Sequence, residues 1–345
     1  MKGTVAVVLF VVAAVCVAVR ASPQCLDEKG KPVDWWVIMK APIDSGSKEP
    51  SYASGYGYSY ADKNSPSLKW TEKRLDNNTK GALASTVQQI YDATKSKQGW
   101  LMWNDQGDDG SSHNSYGHTK GDLVFDGTSA FWLIHSVPRW PEAKENATKY
   151  EFPENEKIYG QSFLCITLPF AGVETVAQAL LVSKPYVYSS NVPSTLSKKL
   201  PNVNLLLDHK FITRQPMTFN ATLASSGGNK FIVATKNALW ADDIYEGLVA
   251  PLLDADIYVE TWMNGADANK MPSYCRTEYK YNVINVRQVT LTDKVSWPET
   301  KDHSKWAVTV DDDTPFFCVS GVNRQFSQSK RGGGVVRHSF FSTHG

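Results

Sequence analysis

Beyond an apolar opening, the chain reads as short hydrophobic runs separated by segments rich in Gly, Pro, Asn and Asp. Residues 34–40 (DWWVIMK) predict the first strand of the mature protein. Residues 51–62, with Tyr56, Tyr58 and Tyr60 at period two, predict an extended, irregular hairpin region. From Gly81 to about Lys95 the apolar positions Leu83, Val87, Ile90 and Tyr91 take helical spacing. Residues 100–104 predict a strand, ended by the Asp- and Gly-rich loop 105–112. Further strands are expected at 130–135, 162–168, 229–235, 255–263 and 315–320. Helices are expected at 174–181, ahead of Pro185, and at 242–253.

One short pattern occurs twice. His118-Thr119-Lys120 is followed after five residues by Asp126, and His303-Ser304-Lys305 after five by Asp311. Each copy sits in a strand-like run that leads through an acidic turn into an aromatic strand, so the repeat is architectural and implies an internal duplication. The expected fold is α/β (α+β), with two pseudo-symmetric halves, 22–170 and 171–345, each a central mixed sheet flanked by helices.

On a strand, His118 and Lys120 share a face, as do His303 and Lys305. Such pairs suit a phosphodiester. A neutral imidazole can attack phosphorus while an ammonium holds a non-bridging oxygen, and the second pair supplies an acid for the leaving oxygen. This chemistry calls for no metal and no cofactor. Asp126 and Asp311 are candidate acceptors that fix the imidazole tautomers, or else turn residues. His135 can support the site by a hydrogen bond. His113, in a polar loop, and the basic cluster of Arg324, Lys330, Arg331 and Arg337 could meet substrate. P-loop, dinucleotide, HExxH and GxSxG patterns are not found.

Met1-Lys2, the apolar run 5–19 and the small residues before Ser22 predict a secretory signal peptide over residues 1–21, too short to serve as a membrane anchor. Its removal leaves 34 basic and 35 acidic side chains, a net charge of −1 at pH 7 that argues against a general nucleic-acid binder at neutral pH. Protonation of all seven histidines in an acidic compartment would raise the net charge to +6. Cys25, Cys165, Cys275 and Cys318 remain, with three possible pairings into two disulfides. Asn77, Asn146 and Asn220 fit the N-glycosylation pattern of a luminal or secreted protein.

The segments VDWWVIMK (33–40), GHTKG (117–121), WLIHSVP (132–138), YGQSFLC (159–165) and DHSKWAV (302–308), with Asn323-Arg324 and Arg331-Gly332-Gly333-Gly334, resemble the deoxyribonuclease II family across essentially the whole mature chain. The resemblance implies a phospholipase D-type fold and a lysosomal or secreted acid endonuclease. Such an enzyme cuts double-stranded DNA without a divalent metal and leaves 3′-phosphate and 5′-hydroxyl ends. Packing of the two halves would bring the motifs together within one chain, so a monomer and a homodimer clamping DNA are equally expected. The resemblance implies catalysis by His118, Lys120, His303 and Lys305 through a phosphohistidine, with His118 the favoured nucleophile and His303 the acid. It gives His135 a supporting role and places Gln161, Ser162 and Asn323 near the phosphates. It also implies a Cys25–Cys165 disulfide. Ala307, Val335 and Val336 stand where relatives carry cysteine, which leaves Cys275 and Cys318 available to each other. Both Lys-to-Asp spacings are one residue longer than in the wider phospholipase D group, so the aspartates rank below the His–Lys pairs. A secreted DNA-binding relative without turnover, or a luminal phospholipase, are the competing expectations.

Overall fold

The computed structural model describes residues 22–107, 109–275, 277–311 and 315–339. The expected signal peptide, His344 and most of the second acidic turn (312–314) lie outside the described residues. Among those described, no helix is long and apolar enough to cross a membrane.

Strands β1 (Trp35–Lys40), β2 (Gly57–Asp62), β3 (Ser65–Arg74), β4 (Gly99–Asn104), β5 (Lys120–Phe125), β6 (Ser129–His135), β7 (Gln161–Pro169) and β8 (Val187–Asn191) form an eight-stranded sheet in the order β3-β2-β1-β7-β6-β5-β4-β8. Its neighbouring strands run antiparallel. A second sheet comprises β9 (Thr218–Ala224), β10 (Lys230–Lys236), β11 (Ile257–Glu260), β12 (Val283–Asn285), β15 (Trp306–Thr309), β16 (Phe317–Ser320) and β17 (Gly333–His338), in the order β12-β11-β15-β16-β17-β10-β9. Only its β11–β12 pair is parallel. A ribbon of β13 (Gln288–Thr292) and β14 (Val295–Pro298) stands apart. The helices are α1 (Pro50–Ser54), α2 (Ala82–Asp92), α3 (Gly172–Ser183), α4 (Ser194–Ser197), α5 (Pro201–Leu207), α6 (Ala250–Leu253) and α7 (Phe326–Ser329).

The layers follow from strand periodicity. Trp36 and Ile38 of β1 face one core with Leu83, Val87 and Ile90 of α2. Trp35, Val37 and Met39 face the opposite core, shared with α3 and with Phe231, Val233, Val319 and Val336 of the second sheet. The run at 34–40 is continuously apolar because both its faces are covered. The central core joins the two halves, so neither sheet closes its hydrophobic surface alone. The outer face of the second sheet packs on Ile244, Tyr245, Val249 and Leu253.

The expected elements are found, with three differences. The His-x-Lys motifs do not lie on strands throughout: β5 begins at Lys120 and β15 at Trp306, so His118, His303 and Lys305 stand just ahead of them, where the backbone of each histidine bonds the opposite half instead. Residues 51–62 are not all extended, because Pro50 opens α1 and Gly55 closes it in the left-handed region (φ 75°). Only 57–62 is strand, paired with β3, an exposed strand whose polar sequence hid it. The helix expected at 242–253 is a π-helical turn (Tyr245–Val249) running into α6.

Cys25 and Cys165 form a disulfide, whereas the expected partnership of Cys275 with Cys318 is not formed. Cys275 is exposed, Cys318 is buried, and both are free. The Cys25–Cys165 bond closes a separation of 140 residues and ties the N-terminal segment to β7. Replacing both cysteines with serine should lower stability by about 2–5 kcal/mol. Thermal unfolding of the oxidised protein and the double variant checks this.

Candidate active site

The site forms where each half inserts its histidine into the backbone of the other. His118 N–H donates to Gly332 O (2.8 Å), just ahead of β17, and His303 N–H donates to Gly160 O (2.9 Å), just ahead of β7. β7 and β17 occupy the same place in the two halves, each being the third strand counted from its His-x-Lys motif. The contacts are therefore reciprocal under the pseudo-symmetry. Ser320 N–H also donates to Lys305 O (2.9 Å). The next residue, Gly321, packs so closely on His118 O that a Cβ would lie 2.6 Å from it. Gly117 and Gly332 both run against the backbone of Ser183 at the end of α3, leaving no room for a side chain on either.

Around His118 the chemistry is ionic. Asp105, the first residue after β4, lies 2.7 Å from His118 Nδ1, 2.6 Å from Lys120 Nζ and 3.0 Å from Arg331 Nη2. The register Asn104↔Lys120 is what carries Asp105 to the motif. Burial pushes the Asp105 carboxyl upward, but His118, Lys120 and Arg331 together hold it well below the usual carboxylate range. An ionised carboxylate only accepts, so His118 Nδ1 carries the proton and Nε2 presents a lone pair. Burial lowers the His118 imidazole to about 3; Asp105 works in the other direction, and Lys120 and Lys305 reinforce the fall.

Around His303 the surroundings are aromatic. Tyr159 stacks on the ring (centroids 3.7 Å apart, planes 13° from parallel) and Trp262 meets it edge-on at 4.5 Å. From the pairs Asn104↔Lys120 and Glu260↔Trp306, Trp262 stands where Asp105 stands in the first half. Likewise Tyr159, preceding Gly160, stands where Arg331 precedes Gly332. Equivalent positions thus hold an ion pair on one side and an aromatic wall on the other. Glu156 Oε2 is 3.8 Å from His303 Nδ1, and burial raises its carboxyl to about 7. Burial lowers His303 to about 2, with Lys305, Lys120, His118 and Lys40 adding to the effect. Burial also brings Lys305 down to about 7, with Lys120 the next cause.

Lys40, at the end of β1, is fully buried and donates to the carbonyls of Ala41 (3.0 Å), Lys157 (3.3 Å) and Tyr159 (2.6 Å), pinning the turn that presents Tyr159. Sequence reading passed over Asp105, Glu156, Lys40, Tyr159, Trp262 and the tie of Arg331 to Asp105. A residue that strand pairing brings to a motif cannot be assigned to it before the register is known.

The other expected residues divide. Gln161 is fully buried; it accepts from Ser136 Oγ and donates from Nε2 to Glu156 (2.7 Å), so it positions the His303 side. Ser162 and Asn323 are buried, and Ser162 Oγ and Asn323 Oδ1 have no hydrogen-bond partner among the described residues. His135 is buried, 3.7 Å from Asp122 and edge-on to Trp140. His113 stacks on Tyr186 and bonds Ser111 (2.7 Å). Asp126 accepts from Thr128 N (2.7 Å) and Ser129 N (2.9 Å), which makes it a turn residue. Asp311 is exposed beside an apolar pocket lined by Val37, Leu68 and Phe316. Arg324, expected at the substrate, is instead fully buried, held by Asp243 (2.7 Å), Glu246, Asn285 and Pro272 O. The expected net charge of +6 in acid is also corrected. Burial lowers His118, His135, His303 and His338, so these resist protonation in mild acid. Asn77, Asn146 and Asn220 are all exposed.

The family profile for deoxyribonuclease II matches residues 24–344. The chain belongs to the deoxyribonuclease II family. It is 40% identical to plancitoxin-1 of Acanthaster planci, over 95% of this chain and 90% of that protein. It is 34% identical to deoxyribonuclease-2 of Caenorhabditis elegans (92% and 89%) and 32% identical to deoxyribonuclease-2-alpha of Mus musculus (90% and 87%). Family membership makes the protein a nuclease of the deoxyribonuclease II type.

Two predictions follow from the electrostatics. Asp105→Asn should cost about 3–5 kcal/mol, because it leaves Lys120 and Arg331 without their shared anion; urea unfolding reads the loss. Glu260, buried with both oxygens unpaired, has its carboxyl raised to about 10 by burial, with Asp302 and Glu299 adding. Between its ordinary 4.5 and about 10 the folded state binds the extra proton, so this group lowers stability as pH rises, at about 1.4 kcal/mol per pH unit. Glu260→Gln should remove that slope and gain stability at pH 7.5 relative to pH 5.

Proposed function

We propose that the protein is an acid-active, metal-independent endonuclease that hydrolyses DNA phosphodiesters to 3′-phosphate and 5′-hydroxyl ends. The observation that carries this reading is the reciprocal insertion of two His-x-Lys motifs, one from each half, into a single buried cluster.

His118, oriented by Asp105, directs Nε2 at phosphorus. As the N–P bond forms, the P–O5′ bond breaks and His303 delivers its proton to the departing 5′ oxygen. A water then gives a proton back to His303 and attacks phosphorus, breaking the N–P bond and releasing the 3′-phosphate. Lys120 and Lys305 hold the non-bridging oxygens throughout. They supply locally the positive charge that phosphoryl transfer needs, and their presence opposes entry of a cation. The asymmetry of the two sides supports this division of roles. A carboxylate partner fixes the tautomer a nucleophile requires, whereas a stacked phenol ring favours the imidazolium an acid must become.

The free site keeps both imidazoles neutral because burial and two ammonium groups disfavour further charge. A bound phosphodiester adds a negative charge between the lysines and so raises the affinity of His303 for a proton. Proton uptake coupled to substrate binding favours low pH, which fits a lysosomal or secreted acid enzyme. The exposed Asn77, Asn146 and Asn220 fit a glycosylated one.

Plasmid nicking at pH 5 in EDTA, with end-group analysis, tests the reading. His118→Ala and His303→Ala should each lower turnover by several orders of magnitude while the fold survives, as judged by circular dichroism. The alkaline limb of kcat should lie at higher pH than that of kcat/KM, because the first reports the complex and the second the free enzyme. Near-normal nicking by either variant overturns the assignment. DNA binding without nicking by the unaltered protein favours a non-catalytic relative, and cleavage of phospholipid but not DNA favours the lipid reading.

A further inference from the structure

Beside the cluster lies a second feature that the catalytic scheme does not use. A pocket of about 280 Å³ opens next to Gly117, with Tyr116, Lys184, Ile212, Leu239, Lys330 and Arg331 among its lining residues. Its lining carries three cations and no carboxylate, in a chain whose basic and acidic residues are nearly balanced. The cations come from separate elements. Lys184 closes α3 in the left-handed conformation (φ 54°), and Lys330 and Arg331 follow α7.

The pocket is built into the site. Gly117 N–H donates to Lys184 O (2.7 Å), so the backbone that delivers His118 is fixed to the pocket wall. Arg331 donates from Nε (3.1 Å) and Nη2 (2.8 Å) to Tyr116 O, and from Nη2 to Asp105 (3.0 Å), joining the pocket to the anchor of His118. Lys184 Nζ donates to Ser115 O (3.0 Å) and lies over the Tyr116 ring, 5.1 Å from its centroid. Tyr186 and Phe211 hold that ring edge-on. Opposite in character, Leu239 is 61% exposed, a large apolar side chain left in solvent at the rim.

We infer that this pocket takes the nucleotide unit next to the scissile phosphate on the cleaved strand. Lys184 and Lys330 meet its phosphate, and Leu239 and Ile212 meet its sugar and base. The inference rests on the DNA-cleaving reading of the His–Lys cluster and adds to it a second contact along the same strand. Phosphate alone would be served by the cations; the apolar rim beside them fits the sugar and base of a nucleotide. Cation contacts release counterions from DNA, so each leaves its mark in the salt dependence of binding.

The test uses the full chain, a fluorescent DNA duplex in EDTA at pH 5, and anisotropy at several salt concentrations beside nicking kinetics. Lys330→Gln should weaken binding several-fold, raise KM more than it lowers kcat, and make the slope of log affinity against log salt shallower by roughly one. Leu239→Ser should raise KM with the slope kept. Lys294→Gln, an exposed lysine in the β13–β14 turn, serves as control and should keep the slope of the unaltered protein. An unchanged slope in Lys330→Gln, or the same loss in Lys294→Gln, overturns the pocket. An unchanged KM in Leu239→Ser reduces it to a bare anion site and overturns the nucleotide assignment. If the unaltered protein binds duplex but does not nick it, the catalytic reading fails, while the slopes still decide the pocket.

Discussion

Everything at the site depends on two backbone hydrogen bonds that cross between the halves, from His118 to Gly332 and from His303 to Gly160. Each histidine is held by the strand entry of the opposite half, so the reacting groups reach their places only when both sheets have formed and docked. The shared core between the sheets supplies the driving force, because apolar residues of β1, β5, β7, β10 and β17 bury one another there, together with α3. The glycines at 117, 321 and 332 are the condition for that approach, since a Cβ at any of them would meet main chain.

Docking of this kind gathers like charges. Lys40, Lys120 and Lys305 are all buried, as is His118, while His303 is partly buried. Lys120 is matched by Asp105, and Lys40 spends its three donors on carbonyls. Lys305 Nζ donates to the carbonyl of His303 (2.5 Å), while its charge bears on His118 and His303. The cluster is therefore short of negative charge, the condition in which an anionic ligand gains most from low-dielectric surroundings. Preorganisation here means that the cost of assembling positive charge was met during folding, before any substrate arrives.

Much of this was legible in the chain. The two His-x-Lys motifs could be found because repetition with matched spacing is visible without coordinates, and the apolar runs predicted the strands paired with β5 and β15, though not β17 or the polar outer strands. Asp105 was hidden in a loop whose Asp and Gly content reads as an ordinary turn; only the pairing of β4 with β5 sets it against His118. Arg324 misled for the opposite reason. Its basic neighbours suggested a surface, whereas Asp243 and Glu246, some eighty residues earlier, hold it in the interior. Counting every histidine as an acid-induced charge failed because burial, which sequence does not report, governs their protonation.

The disulfide has a consequence for the covalent integrity of the molecule. Because Cys25 and Cys165 are joined, a peptide bond broken anywhere between them opens the chain without releasing either fragment. His118 sits inside that closed ring and His303 outside it, so a molecule clipped in the exposed 109–115 loop would still travel as one particle carrying both motifs. Only reduction as well as clipping could part them.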